Sequence, residues 1–132
     1  MAGPLYNLKQ GVTVAGDITA ASGDIATDYQ VAAANGAITI PARGRKFVFI
    51  TKGTAAAMTL AAPTATTHDG VEIIIMCTTA AAHTVTATTI GFNALDAAGD
   101  VCTFTAAVGN YIGVVAYQGE WYVTRNLNGT LA

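Results

Sequence analysis

Few side chains in this 132-residue chain have the chemistry of a nucleophile, a general base or a metal ligand. His68-Asp69-Gly70 sets an imidazole beside a carboxylate, but its place between Thr67 and a strong apolar run fits a turn that opens a strand. His83 shares its parity with Val85 and Ala87, which suits a strand residue with a satisfied ring nitrogen better than a ligand. Ser22 is the only serine, and the chain has no Gly-x-Ser-x-Gly elbow or phosphate-cradling glycine loop. Asp96 and Asp100 flank Ala97-Ala98-Gly99 without the alternating carboxylates of a calcium loop, and read as solvated loop. Cys77 and Cys102 have no CxxC spacing and no His cluster, so they are expected to be free core thiols. Enzymes need a nucleophile, base and orienting group that converge, or three or four ligands around a metal. The sequence therefore predicts no enzyme, no cofactor and no metal site.

Two other constellations suit binding. Arg43-Gly44-Arg45-Lys46, with Lys52 nearby, is a concentrated positive patch in a chain poor in charge. It could dock on an acidic surface of a neighbouring protein, or its charges could discourage edge pairing before Phe47. Nucleic acid fits poorly: the patch is short, lacks interleaved aromatic residues, and belongs to a chain of net charge −2.

The second constellation is rich in tyrosine. Residues 111–117 and 120–125 are β-branched and aromatic runs around Gln118-Gly119, the pattern of a hairpin. With those two residues as the loop, Ile112, Val114, Ala116, Trp121 and Val123 share one face, which reads as core. Tyr111, Val115, Tyr117, Tyr122 and Thr124 share the other. The apolar bodies and polar tips of Tyr111, Tyr117 and Tyr122, with Val115, suit a subunit interface. Asn-Gly is the preferred two-residue turn, so a longer loop with a left-handed Gly119 fits as well.

The elements that must position these groups are strands. Ala37-Ile38-Thr39-Ile40 alternates and stops at Pro41, while Phe47-Val48-Phe49-Ile50 is continuously apolar, as in a strand buried on both sides. Met58-Thr59-Leu60, Val71 to Cys77, His83 to Thr88 and Val101 to Ala106 follow, and with the hairpin they make about eight strands. Ile50-Thr51 followed by Ala55-Ala56-Ala57-Met58-Thr59-Leu60 is echoed by Cys77-Thr78 followed by Ala80-Ala81-Ala82-His83-Thr84-Val85. This weak repeat reads as a duplicated hairpin, too short and too few in copies for a solenoid. The expected fold is all-β, a sandwich or jelly-roll-like domain over residues 37–132 that ends in the hairpin 111–125.

Residues 1–36 read differently, with Val12, Val14, Ile18 and Ile25 isolated among small residues. Single apolar side chains spaced this way cannot build a core, but they can lie in pockets on another surface as an extended arm. A first sheet strand or a frayed terminus fits the same residues.

Charged residues make up 11% of the chain, against roughly 25% in ordinary soluble domains. So few charges cannot dress a monomer's whole surface, which implies that other chains cover part of it. No apolar run approaches the ~20 residues of a spanning helix, so no membrane is expected. Met1-Ala2-Gly3-Pro4 lacks the basic start and apolar stretch of a secretory signal, which points to assembly in a cytoplasm.

The phrases Ala56-Ala57-Met58-Thr59-Leu60-Ala61-Ala62-Pro63-Thr64, Asp69-Gly70, Thr78 to Thr86, and Val115-Ala116-Tyr117-Gln118-Gly119-Glu120-Trp121-Tyr122-Val123 resemble small β-rich virion proteins of tailed bacteriophages. Those proteins decorate heads or form head fibres, and the likeness covers roughly residues 37 to 125. It implies a capsid decoration (cement) protein of the virion, assembled in the host cytoplasm, that binds the major capsid protein and itself as a homotrimer or other homo-oligomer. On this view Val12, Val14, Ile18, Ile25, Arg43, Arg45 and Lys46 dock on the capsid. The alternative is a tail-fibre or head-fibre module whose tyrosines stack on host glycans.

Overall fold

The computed structural model describes residues 28–94 and 100–132, so Val12, Val14, Ile18 and Ile25, with Ser22 and Asp96, lie outside the described residues. Ten strands form two five-stranded sheets. The first sheet holds, in spatial order, β1 (Asp28–Ala32), β3 (Arg45–Ile50), β5 (Glu72–Cys77), β8 (Tyr111–Tyr117) and β9 (Glu120–Leu127). The second holds β10 (Gly129–Leu131), β7 (Val101–Phe104), β6 (Thr84–Ala87), β4 (Ala57–Leu60) and β2 (Gly36–Ala37). This is the expected all-β sandwich, with no helix among the described residues.

Period-2 alternation builds the core. Val48 and Ile50 of β3, Ile73, Ile75 and Cys77 of β5, and Ile112, Val114 and Ala116 of β8 point inward with Trp121 of β9. Met58, Leu60, Val85, Ala87, Cys102 and Phe104 meet them from the second sheet. Fully burying one such aliphatic or aromatic side chain contributes about 1.5–3 kcal/mol. The Trp121 indole N–H donates to the Ala61 carbonyl at 2.8 Å, so the largest core side chain leaves no polar atom stranded.

The repeated phrase is not a duplicated hairpin. In each copy the first strand lies in one sheet and the second in the other, so β3→β4 and β5→β6 each cross the sandwich. Corresponding strands of the two copies then pair in parallel, Ile50 with Cys77 and Ala57 with Thr84. Together with β1 and β2 these strands wind as successive rungs of a short two-sheet coil, the solenoid-like arrangement that the sequence reading had excluded. The physical reason is the connection. Six residues between β3 and β4, and six between β5 and β6, are long enough to cross the ~10 Å between sheets, and the arcs bond to each other. Thr79 Oγ1 donates to the Lys52 carbonyl at 2.5 Å, and the Ala56 N–H donates to His83 Nδ1 at 3.0 Å, both across 27 residues.

The remaining strands are antiparallel: β6–β7 and β7–β10 in one sheet, β5–β8 and β8–β9 in the other. A jelly roll, all antiparallel, is therefore not formed. Residues 28–36 join the sandwich, because β1 pairs along β3 and Ala32 enters the core; here the first-strand reading of that region applies rather than the arm. Beyond the eight expected strands, β1 and β10 were hidden by their short, weakly apolar composition.

Candidate functional site

The outward faces of the two sheets differ. On the second, Thr59, Thr84, Thr86, Thr103 and Thr130 alternate with the inward core residues, a short-chained polar surface. On the first sheet apolar and aromatic residues occupy most outward positions, with Arg45, Glu72, Glu120 and Arg125 among them.

Strand register arranges those positions in rows. Val31, Phe49, Met76, Tyr111 and Leu127 form one continuous row, apolar except for a tyrosine hydroxyl. The next row is Tyr29, Phe47, Ile74, Gly113 and Arg125, and the third is Arg45, Glu72, Val115 and Tyr122. Tyr117 and Glu120 end the face beside the hairpin turn. Phe47 and Phe49 stack with ring centroids 6.0 Å apart, and Tyr29 leans on Phe49 at 6.4 Å.

No other described element covers this face. Tyr29 and Val31 at one edge are 65% and 56% exposed, and Tyr117 is 59% exposed. Phe47, Phe49, Met76, Tyr111, Val115 and Tyr122 are half-buried, shielded chiefly by each other. Phe47 and Phe49, expected from the apolar run to be covered on both sides, thus lack an outer layer among the described residues. The structure places Tyr111, Val115, Tyr117 and Tyr122 on one face, as the alternation required. The sequence reading missed Tyr29, Val31, Phe47, Phe49, Ile74 and Met76, which the parallel pairing of β1, β3 and β5 brings alongside them.

The hairpin is the two-residue form, with Tyr117 opposite Glu120, Ala116 opposite Trp121 and Val115 opposite Tyr122. Gln118 and Gly119 both have positive φ, 49° and 85°. A register shift between Gly113 and Val114 leaves Thr124 folded over Gly113, its hydroxyl donating to the Gly113 carbonyl at 3.1 Å.

The basic patch is smaller than its sequence suggests. Lys46 lies on the inward parity of β3, is only 4% exposed, and donates to the Thr39 carbonyl at 2.9 Å and to its hydroxyl. It therefore cannot take part in docking from this position. Arg45 pairs with Glu72 on the next strand while staying exposed, and Arg43, also exposed, lies beside a cleft of about 560 Å³ shared with Thr66, Thr67 and Asp69.

The other chemical candidates are held in structural bonds. His68 Nδ1 accepts the Thr64 N–H at 2.8 Å, and Asp69 accepts from Thr66 and Gln118, which is the turn role read from the sequence. His83 is fully buried, with Nδ1 on the Ala56 N–H and Nε2 at 3.0 Å from Thr79 Oγ1. Cys77 and Cys102 are free and buried. Burial pushes both thiols up to about 11, with Cys102 raised further by its neighbour Cys77. Among the described residues no three His, Cys, Asp or Glu side chains gather as a metal site, and no helix is long and apolar enough to cross a membrane.

Comparison with known protein families and with curated proteins finds no match to this chain.

Proposed function

We propose that the chain is a non-enzymatic structural protein of a tailed-phage particle, a capsid decoration or cement protein that binds the outer shell as a homo-oligomer and stabilises it. The observation that carries this reading is the five-strand apolar face, with its stacked phenylalanines and exposed Tyr29, Val31 and Tyr117. Soluble monomers seldom leave an apolar surface of this extent open to water, whereas aromatic residues and methionine are enriched at interfaces. Low overall charge and the phage-like phrases support the same reading. At ~25 cal/mol per Å², a standard-size interface contributes enough to strengthen a shell when repeated over many sites, even after ordering costs.

The major capsid protein is the second partner in this proposal, met by residues 1–27 with Arg43 and Arg45. Phage heads stripped of the protein and incubated with the purified chain should rebind it at a fixed ratio to the major capsid protein and withstand a higher temperature before releasing DNA. The double variant Val12→Asp/Ile18→Asp should fold but not rebind. Failure of the wild-type chain to bind heads, together with selective binding on a glycan array, would replace this reading with the fibre-module alternative, to which the exposed Tyr29 and Tyr117 lend support.

A further inference from the structure

The apolar face also indicates how it is covered. We infer that a second copy of the chain packs on it face to face, about a two-fold axis that runs along β5, parallel to the strands. This rests on the reading of the face as an interface and names its partner and geometry.

Charge and register select the partner. Arg45 and Glu72 neutralise each other within one copy, so the face presents little net charge that would call for an oppositely charged partner. Its apolar row runs unbroken from Val31 on one edge strand to Leu127 on the other. Self-association through one patch needs that patch to complement itself under the two-fold.

An axis along the strands meets this condition. It lays each row on its own copy, so Met76 faces Met76 and Phe49 faces Tyr111. It also lays β9 over β1, which brings Arg125 over Tyr29, a cation on an aromatic ring. It lays β8 over β3, which brings Tyr117 to the end of β3 that carries Arg43. In the third row this axis sets Glu72 against Glu72 of the second copy, flanked by Arg45 of both copies, so the charges gather in one neutral row. An axis across the strands would instead press Met76 on Glu72 and Phe49 on Arg45, spreading charges into the apolar row.

The size suffices. Five strands about 4.8 Å apart and six residues at about 3.3 Å each span roughly 24 by 20 Å in plan. Side-chain relief and the rim bring such a face toward the roughly 800 Å² per partner of a standard interface.

Sedimentation equilibrium of the full chain at micromolar concentration should give twice the 13.4 kDa of one chain. Leu127→Lys and Met76→Lys should each halve that mass while the β-sheet circular dichroism is kept; Leu127, being exposed, guards against simple misfolding. Met76→Cys should cross-link copy to copy through a short bis-maleimide, because the axis brings the two residues together, while Thr59→Cys on the outer face of the second sheet should not.

A single-chain mass overturns the inference, as does a trimer mass or a dimer that survives both lysine variants. A monomeric Met76→Cys chain whose thiol resists maleimide would mean that residues 1–27 of the same copy cover the face, which also overturns it. The two proposals fail separately: a monomer that still binds heads removes the two-fold and keeps the cement reading. A dimer with no affinity for heads does the reverse.

Discussion

Asp69 and Gln118, separated by 49 residues, are joined twice: one carboxylate oxygen accepts the Gln118 backbone N–H at 2.7 Å and the other accepts its side-chain amide at 2.5 Å. The first oxygen also accepts the Thr66 N–H at 3.1 Å. Thr66 and Gln118 both adopt positive φ, 68° and 49°, in a region that side-chain-bearing residues rarely occupy. One carboxylate therefore holds two unfavourable backbone conformations and ties the hairpin turn to the loop before β5. Partial desolvation raises the Asp69 pKa, but the Gln118 backbone, Gln118 side-chain and Thr66 hydrogen bonds outweigh it and hold the carboxyl below its ordinary value.

Because that pKa is lower in the folded chain, the latch stabilises above the ordinary aspartate value of 3.8 and its contribution fades as the pH falls below it. Asp69→Asn should lower the melting temperature at pH 7 and should show a smaller further loss between pH 4 and pH 2 than the wild type. Melting curves across that range check both, and equal acid slopes for the two proteins would remove Asp69 from the account.

His83 replaces a main-chain acceptor for the Ala56 N–H in the buried arc between rungs. His83→Leu fills much of the space but strands that donor, so a loss of about 1–3 kcal/mol is expected in urea unfolding.

At Gly129 a Cβ would fall 2.6 Å from both Cys102 Sγ and Asn126 Oδ1. Gly129→Ala should cost about 1–3 kcal/mol, as overpacking does. Gly36→Ala, where nothing lies within 4 Å of the new carbon, serves as the control and should change stability little.

Trp121→Phe removes the hydrogen bond to Ala61 and opens space beside Phe92, which pairs with Trp121 in an isolated bridge. A destabilisation of about 1–3 kcal/mol is expected, rising to about 3–5 kcal/mol for Trp121→Ala.

The two thiols titrate in the opposite sense to Asp69. Their pKa is raised from 9.0 to about 11, so the stability they lend is intact below pH 9 and is lost as the pH climbs toward 11. Iodoacetamide should leave both unmodified at pH 8 in buffer and alkylate both in urea, as read by mass spectrometry.

The hairpin pairs were legible because alternation and a Gln-Gly break leave little freedom in register, and the split of Trp121 from Tyr122 followed directly. The repeat was visible, but a strand, an Ala triplet and a strand spell a hairpin and a sheet-to-sheet arc alike. Pairing with the other copy, through partners such as Thr79 with Lys52, decides between them, and no local pattern encodes that. For the same reason Phe47 and Phe49 could be assigned to a strand but not placed beside Tyr111. Lys46 misled because residue type signalled a surface charge, whereas its parity with Val48 and Ile50 already turned it inward.

The 27-residue step from β3 to β5 and from β4 to β6 gives this architecture a natural unit of growth. A third copy of the arc inserted after β6 would meet the same hydrogen-bonding groups that β5 and β6 meet now, provided the C-terminal strands moved outward with it. Chains built on this plan can thus differ in length by whole turns of the coil, widening the aromatic face strand by strand.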